Sequence, residues 1–358
     1  MGFKEIFCSC LFIITFQQVF PKSKLNEKVY LKSPTSYIVP KNFTRLILDS
    51  NDKQALKNFR YYNDQSFKYP MSGSAQYSQA QFKELIEKLI KLNKGRSKKI
   101  FFIDLRQESH VMINGKPITW YVPQNIRNVG RSLKWIESFE RSQVPLMKNA
   151  FVSLEVPQKK NRNMGVYVKT KNLKVLAKEV ETERVMISRL NKSLKKKHKD
   201  IEIHYFRFPV ADHGVPFQAI LDKENPNENS LDLFLNFVRH YVLSEEHVPW
   251  LHFHCRAGKG RTTSFLYFYD LILNANKDLN VDDVIQYHNR EGGLNLNALS
   301  GFENDFLFKL GGQVNRKYLA HKFFQFTKSL AFKKSESWTT WFKKNRDDTI
   351  KIKFQKRK

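Results

Sequence analysis

The chain has 358 residues, 41% of them hydrophobic and 30 of them phenylalanine, enough to bury one substantial core and a smaller module, and this excludes a disordered chain. Lysine and arginine total 62 against 34 acids, a formal charge of +28, so the surface attracts polyanions. Three cysteines, at 8, 10 and 255, exclude a disulfide framework or a cysteine metal cluster once the first two are set aside with the N-terminal segment.

From Ile6 to Phe16 runs an apolar stretch preceded by Lys4. It has the pattern of a signal-peptide core and is short for a membrane-spanning helix, so residues 1–20 are expected to be a signal peptide and the protein to be exported. Gln17-Gln18-Val19-Phe20 lacks the small residues of a cleavage site, which leaves an uncleaved anchor or a buried helix as alternatives. Residues 21–40 form a polar lead-in. Within 81–92, Phe82, Leu85, Ile86, Leu89 and Ile90 fall at helical spacing, and Lys99-Ile100-Phe101-Phe102-Ile103-Asp104 is a buried strand. Arg106, just past that strand, is expected to hold the chain through hydrogen bonds. Between about 112 and 178, Val144-Pro145-Leu146, Val152 to Val156 and Val166 to Val168 are expected to be short strands of a small β-rich insertion. Helices alternating with short buried strands elsewhere favour an α/β fold.

Arg207-Phe208-Pro209-Val210-Ala211-Asp212-His213-Gly214-Val215-Pro216 is a strand end running into a loop fixed by prolines and loosened by a glycine, from which Asp212 can move. A helix containing Leu231 to Val242 follows. Trp250-Leu251-His252-Phe253-His254 then ends in Cys255-Arg256-Ala257-Gly258-Lys259-Gly260-Arg261-Thr262 and an apolar helix. The two glycines let the backbone curl and aim the N–H groups of Ala257, Gly258, Lys259 and Gly260 at one point above the helix N-terminus. An anion belongs there. The same field favours an ionised Cys255, and Arg261 can grip two oxygens of a phosphoryl group. Thr262 can donate to the sulfur, and His254 supports the loop from behind. Asp212 is the candidate general acid, since a departing alkoxide needs a proton. Val281, Val284 and Ile285 mark a further helix, and residues 347–358 form a basic tail.

His-Cys-x5-Arg-Thr resembles the signature of the protein tyrosine phosphatase superfamily, and the Asp-His-x-x-Pro loop resembles that of its cysteine phytases. Ser72-Gly73-Ser74-Ala75-Gln76, Asp104 to His110 with Asn114-Gly115 and Trp120-Tyr121, Val180 to Glu183, His288 to Gly293, Lys322 to Phe326 and Ser337 to Trp341 are similar to segments of that family in the same order. The likeness implies a protein tyrosine phosphatase-like fold, a central mostly parallel sheet flanked by helices, with a small barrel-like inserted domain. The phosphatase domain would be 41–111 and 179–346, and the insertion 112–178. It also implies a phosphocysteine intermediate, an inositol hexakisphosphate or lower inositol polyphosphate substrate, and phosphate contacts from Arg60 and His213. A phosphoinositide or protein-tyrosine phosphatase is the alternative, and a non-enzymatic polyphosphate- or membrane-binding module is a third reading.

Two departures add charge to the cradle. Arg256 stands where that family has an acidic residue and Lys259 where it has a small apolar one, and the resulting Cys-basic-Ala-Gly-Lys-Gly-Arg is similar to the loop of phosphatase-and-tensin-type phosphoinositide phosphatases. Both residues are therefore expected to meet neighbouring phosphates. Gly214-Val215 replaces a common valine-tryptophan and removes an aromatic from the acid loop. No metal and no cofactor is expected, since the histidines lack metal-ligand spacing. Partners are inositol polyphosphates and anionic lipid headgroups, with nucleic acid last because no binding motif organises the basic residues.

Overall fold

A computed structural model of the chain describes residues 45–50, 55–62, 70–128, 131–161, 166–212, 230–245, 248–295 and 307–345. The apolar segment from Ile6 to Phe16, the lead-in, His213 to Pro216 and the basic tail lie outside the described residues. Among those described, no helix is long and apolar enough to cross a membrane.

Two sheets organise the chain. The first has the order β10 (Glu202–Val210), β4 (Lys99–Arg106), β11 (Trp250–Cys255), β3 (Met71–Ala75) and β2 (Arg60–Tyr62). Its pairs are parallel except for antiparallel β2 at the edge, so the mostly parallel central sheet implied by the resemblance is present. Side chains alternate across it with the period of two that a strand imposes. Phe101, Ile103, Leu251, Phe253 and Cys255 share one core with α4 (Ser230–Tyr241), α5 (Gly260–Leu273), α6 (Val281–Arg290), α7 (Leu307–Lys328) and α8 (Trp338–Asn345). Ile100, Phe102, Ile203 and Trp250 pack on the other side with α1 (Gln79–Asn93) and α3 (Glu183–Leu194). Helix α5 is buried on all sides, which explains its lack of a polar face.

Helix starts follow local chemistry. Ser78 and Gln81 form a reciprocal capping box on α1, and Thr182 accepts from Val185 N at the start of α3.

The second sheet has the order β8 (Val166–Leu176), β7 (Phe151–Asn161), β1 (Arg45–Leu48), β6 (Lys116–Tyr121), β5 (His110–Ile113) and β9 (Val180–Glu181). It draws β1 and β9 from outside 112–178, and β8 and β9 are its edges, so the barrel-like closure implied by the resemblance is not seen among the described residues. The expected strand at Val144-Pro145-Leu146 is a correction: these residues close α2 (Leu133–Met147). Ile136, Phe139, Val144 and Met147 recur at helical spacing, Ser132 caps the helix through Trp135 N, and Pro145 forgoes its amide bond in the last turn. Phe139, Val144 and Met147 pack on this sheet.

Candidate active site

Cys255 ends β11 at the C-terminal edge of the parallel sheet, where loops of α/β proteins converge on ligands. It is 2% exposed and has no cysteine partner among the described residues. The following turn is possible only with glycine at 258, where φ is +67° and a Cβ would stand 2.3 Å from Ala75 N and 2.4 Å from the Ser74 carbonyl carbon. In β3, a Cβ on Gly73 would stand 2.6 Å from Thr262 Cγ2, so the strand is glycine where the helix crosses it.

Three successive loop carbonyls are tied outward. Arg256 O accepts from Gln76 N at 3.3 Å, Ala257 O from Asn58 Nδ2 at 2.7 Å and Gly258 O from Arg60 Nη1 at 2.7 Å. Each peptide is planar, so anchoring these oxygens turns the N–H groups of Ala257, Gly258 and Lys259 the opposite way, into the loop. With the N-terminus of α5 beside them, they form an anion-binding concavity.

A closed circuit of side chains surrounds it. Arg261 donates from Nη1 and Nη2 to Glu108 at 2.5 and 2.9 Å, and from Nη2 to Asp212 Oδ1 at 3.1 Å. Glu108 also accepts from Arg106 Nε at 3.1 Å, and Arg106 Nη2 lies 3.0 Å from Asp49 Oδ2. Asp49 Oδ1 in turn meets Arg256 Nε at 2.7 Å, Arg256 Nη1 lies 3.4 Å from Asn125 Oδ1, and Asn125 Nδ2 donates to Asp212 Oδ2 at 2.8 Å. Burial alone would raise the Glu108 carboxyl, but Arg261 and Arg106 outweigh it and hold it at about 2. Burial likewise opposes the charge of Arg261, yet Glu108 first, then Asp212 and Cys255, keep it firmly protonated.

His254 lies across the sheet from Cys255, its Nε2 3.2 Å from Glu183 Oε1. Glu183 also meets His110 Nε2 at 3.0 Å, and His110 lies 3.4 Å from Asp104. Burial opposes ionisation of Glu183, but His254 and His110 hold its carboxyl well below the usual range. Asp104, His110 and Glu183 have the spacing of a metal-ligand set, but Asp104 Oδ2 already meets Tyr205 Oη at 2.8 Å and Arg207 Nε at 3.2 Å. A cation would have to sit beside a guanidinium, so the set is a buried ion network by its chemistry.

The structure thus brings Cys255, Arg256, Ala257, Gly258, Lys259, Gly260, Arg261, Thr262 and Asp212 together around one concavity. The Thr262 hydroxyl is buried with no hydrogen-bond partner among the described residues. Arg60 is 5% exposed, and its donors go to Gly258 O and Thr263 Oγ1, which makes it a brace behind the loop. Arg256 and Lys259 part company: Arg256 is held by Asp49 and lies against the rings of Tyr121 and Tyr167, whereas Lys259 is exposed with no ion-pair partner among the described residues. His213 lies outside the described residues. Arg106 holds the chain through hydrogen bonds, as expected. Sequence reasoning missed Asp49, Glu108 and Asn125 as members of the site. Glu108 had a signal, a carboxylate two residues beyond the arginine at a parallel strand's end, while Asp49 and Asn125 had none.

Residues 103–273 match the family model of the PTP-like phytases, described as Inositol hexakisphosphate. A curated relative, Effector protein hopD2 of Pseudomonas syringae pv. tomato, is 26% identical over 175 residues, 48% of this chain and 31% of that protein. Two Mitsuokella multacida structures are each 25% identical and cover 84% of this chain and 49% of their own. One is the tandemly repeated protein tyrosine phosphatase like phytase, with a TM-score of 0.62. The other is the PTP-like myo-inositol phosphatase in complex with myo-inositol-(1,3,4,5)-tetrakisphosphate, with a TM-score of 0.64. A PTP-like phytase from Bdellovibrio bacteriovorus, 24% identical with a TM-score of 0.58 over 84% of this chain and 95% of its own, shares the fold. The chain therefore spans about a third of the curated relative and about half of the Mitsuokella proteins.

Fold and cradle together resemble those of PTP-like phytase structures. The family match over 103–273 and the structural neighbours make this chain similar to the PTP-like phytases in sequence and fold.

Proposed function

We propose that the chain is a cysteine-dependent phosphatase that hydrolyses phosphomonoesters of inositol hexakisphosphate and lower inositol polyphosphates. The observation that carries this reading is the alignment of three inward-facing loop amides and Arg261 above Cys255, with the Asp212 carboxylate 3.1 Å from the same guanidinium. Cys255 Sγ attacks phosphorus in line while the loop amides and Arg261 hold the equatorial oxygens. The phosphorus–oxygen bond to the ring breaks as the sulfur–phosphorus bond forms, and Asp212 gives its proton to the leaving oxygen. Water then cleaves the phosphocysteine with Asp212 acting in reverse as base. The buried hydroxyl of Thr262, otherwise without a partner among the described residues, suits the departing sulfur.

The substrate class is supported by the overall charge of +28, by the exposed Lys259 on the cradle rim and by the inositol tetrakisphosphate bound to a structural neighbour. The loop's likeness to phosphoinositide phosphatases favours a second reading, in which the same chemistry acts on a lipid headgroup. Phosphate release by wild type and Cys255→Ser is measured on inositol hexakisphosphate, a phosphoinositide and a phosphotyrosine peptide. Turnover of the first by wild type, with tight binding but no turnover by the variant, is expected. Retention of a few per cent of the rate by Cys255→Ser would sink the cysteine mechanism, and binding by both with turnover by neither would make the chain a polyphosphate-binding module.

A further inference from the structure

Asp212 accepts from Arg261 Nη2 at its Oδ1 and from Asn125 Nδ2 at its Oδ2, 3.1 and 2.8 Å away. The amide of Asn125 is oriented from its far side. Arg256 Nη1 lies 3.4 Å from Asn125 Oδ1, and because a guanidinium only donates, the amide oxygen must face it and the amide nitrogen must face Asp212. Arg256 is itself fixed by Asp49 and by the rings of Tyr121 and Tyr167, 5.6 and 5.3 Å from its guanidinium carbon. Asn125 is 4% exposed and takes φ +57°, a left-handed conformation that asparagine tolerates better than most residues. Its backbone and its amide are thus both constrained at one point of the 3₁₀ turn Pro123–Asn128.

An oxygen that accepts the Asn125 N–H is the carbonyl-type oxygen of a protonated carboxyl. Oδ1 accepts from Arg261 in the same way, but a phosphoryl group in the cradle takes over that guanidinium edge, and with Asn125 still donating to Oδ2 the proton of Asp212 then sits on Oδ1, the oxygen facing the phosphoryl group. We propose that Asn125 is a positioning residue that assigns the transferable proton of Asp212 to Oδ1, with Arg256 and Asp49 setting its amide. The inference rests on the reading of Asp212 as the general acid. In the step, the proton leaves Oδ1 for the leaving oxygen, the electron pair of the O–H bond stays on Asp212, and the carboxylate keeps the Asn125 N–H on Oδ2.

Two variants of the full chain test this against phenyl phosphate, whose leaving group needs the proton, and 4-nitrophenyl phosphate, whose leaving group does not. Asn125→Gly keeps the left-handed backbone and removes the amide, while Asn125→Asp keeps the shape and replaces the donor with an acceptor. Asp212→Asn, the reference, is expected to raise the ratio of 4-nitrophenyl to phenyl kcat by about 10²-fold or more, and Asn125→Gly by roughly tenfold. Asn125→Asp should raise it further and move the alkaline limb of the phenyl phosphate profile to higher pH, because a second carboxylate draws the proton to Oδ2 and holds it. Circular dichroism establishes folding, and if Asn125→Gly fails to fold, Asn125→Asp decides. An unchanged ratio in the Asn125 variants beside a raised ratio in Asp212→Asn overturns the inference alone. An unchanged ratio in Asp212→Asn overturns the reading of the acid.

Discussion

Glu108→Gln removes a carboxylate that grips both Arg261 and Arg106 while keeping its shape. The native carboxyl titrates at about 2 against an ordinary 4.5, a difference worth on the order of 3 kcal/mol at ~1.4 kcal/mol per unit. Because the folded value is depressed, this stability is present above about pH 4.5 and is lost as pH falls through the folded value. At pH 7 the variant should therefore be less stable by about 3 kcal/mol, in line with the 3–5 kcal/mol typical when one partner of a buried ion pair is removed. Urea unfolding at pH 7, 4.5 and 3.5 measures the gap. Little change is expected between pH 7 and 4.5, and a narrowing by about 1 kcal/mol between 4.5 and 3.5, as unfolded wild type takes up the proton. A gap that stays constant down to pH 3.5 would refute the claim that Glu108 is held ionised by the two arginines.

Gly258→Ala should abolish phosphatase activity and binding of inorganic phosphate, since its methyl group would meet the Ala75 and Ser74 backbone at 2.3 and 2.4 Å. Gly95→Ala, at a left-handed position with nothing within 4 Å, should cost only about 1 kcal/mol in urea unfolding and keep phosphate binding. Lys259→Ala should raise the KM for inositol hexakisphosphate several-fold, roughly 1 kcal/mol, and leave that for 4-nitrophenyl phosphate nearly unchanged. Added salt should shrink the wild-type preference, because exposed charges are screened over about 8 Å at physiological ionic strength, and equal loss on both substrates would assign Lys259 to the loop alone.

The nucleophile loop was legible because its chemistry is local. Nucleophile, glycines and guanidinium lie within seven residues, and strand and helix flank them. The strand from Ile100 to Ile103 was legible for the same reason, as an apolar run, whereas the parallel sheet it joins was implied by the resemblance and not by the run itself. The second sheet was not, because β1 is four residues long and pairs with β6 seventy or more positions away, and nothing in Arg45–Leu48 names its partner. Val144-Pro145-Leu146 misled through its β-branched residue and proline, although Ile136, Phe139 and Met147 already carried the helical period. Arg60 was expected to contact substrate phosphate on the resemblance alone, and only the fold places it against Gly258 O, 198 positions on. Asn125 carries no charge and belongs to no motif, so its meeting with Asp212 exists only in three dimensions.

Arg256 illustrates how one departure is absorbed. Three guanidinium groups, those of Arg106, Arg256 and Arg261, are crowded beneath one loop, an arrangement that desolvation and mutual repulsion both oppose. It stands because charges alternate: Asp49 lies between Arg106 and Arg256, Glu108 between Arg106 and Arg261, and Asp212 against Arg261. An acidic residue at position 256, as the resembling family has, would have set a fourth carboxylate beside Asp49. With arginine there, the carboxylate that neutralises it comes from the end of β1 on the other sheet, and the two sheets are joined through the loop that holds Cys255. With Asp212 ionised the formal charges of the six groups cancel, so under the proposed function the pull on a phosphate rests on what is left uncompensated. That is the loop amides, the N-terminus of α5 and Lys259, while Arg261 can meet an incoming anion only by sharing the edge it now gives to Asp212.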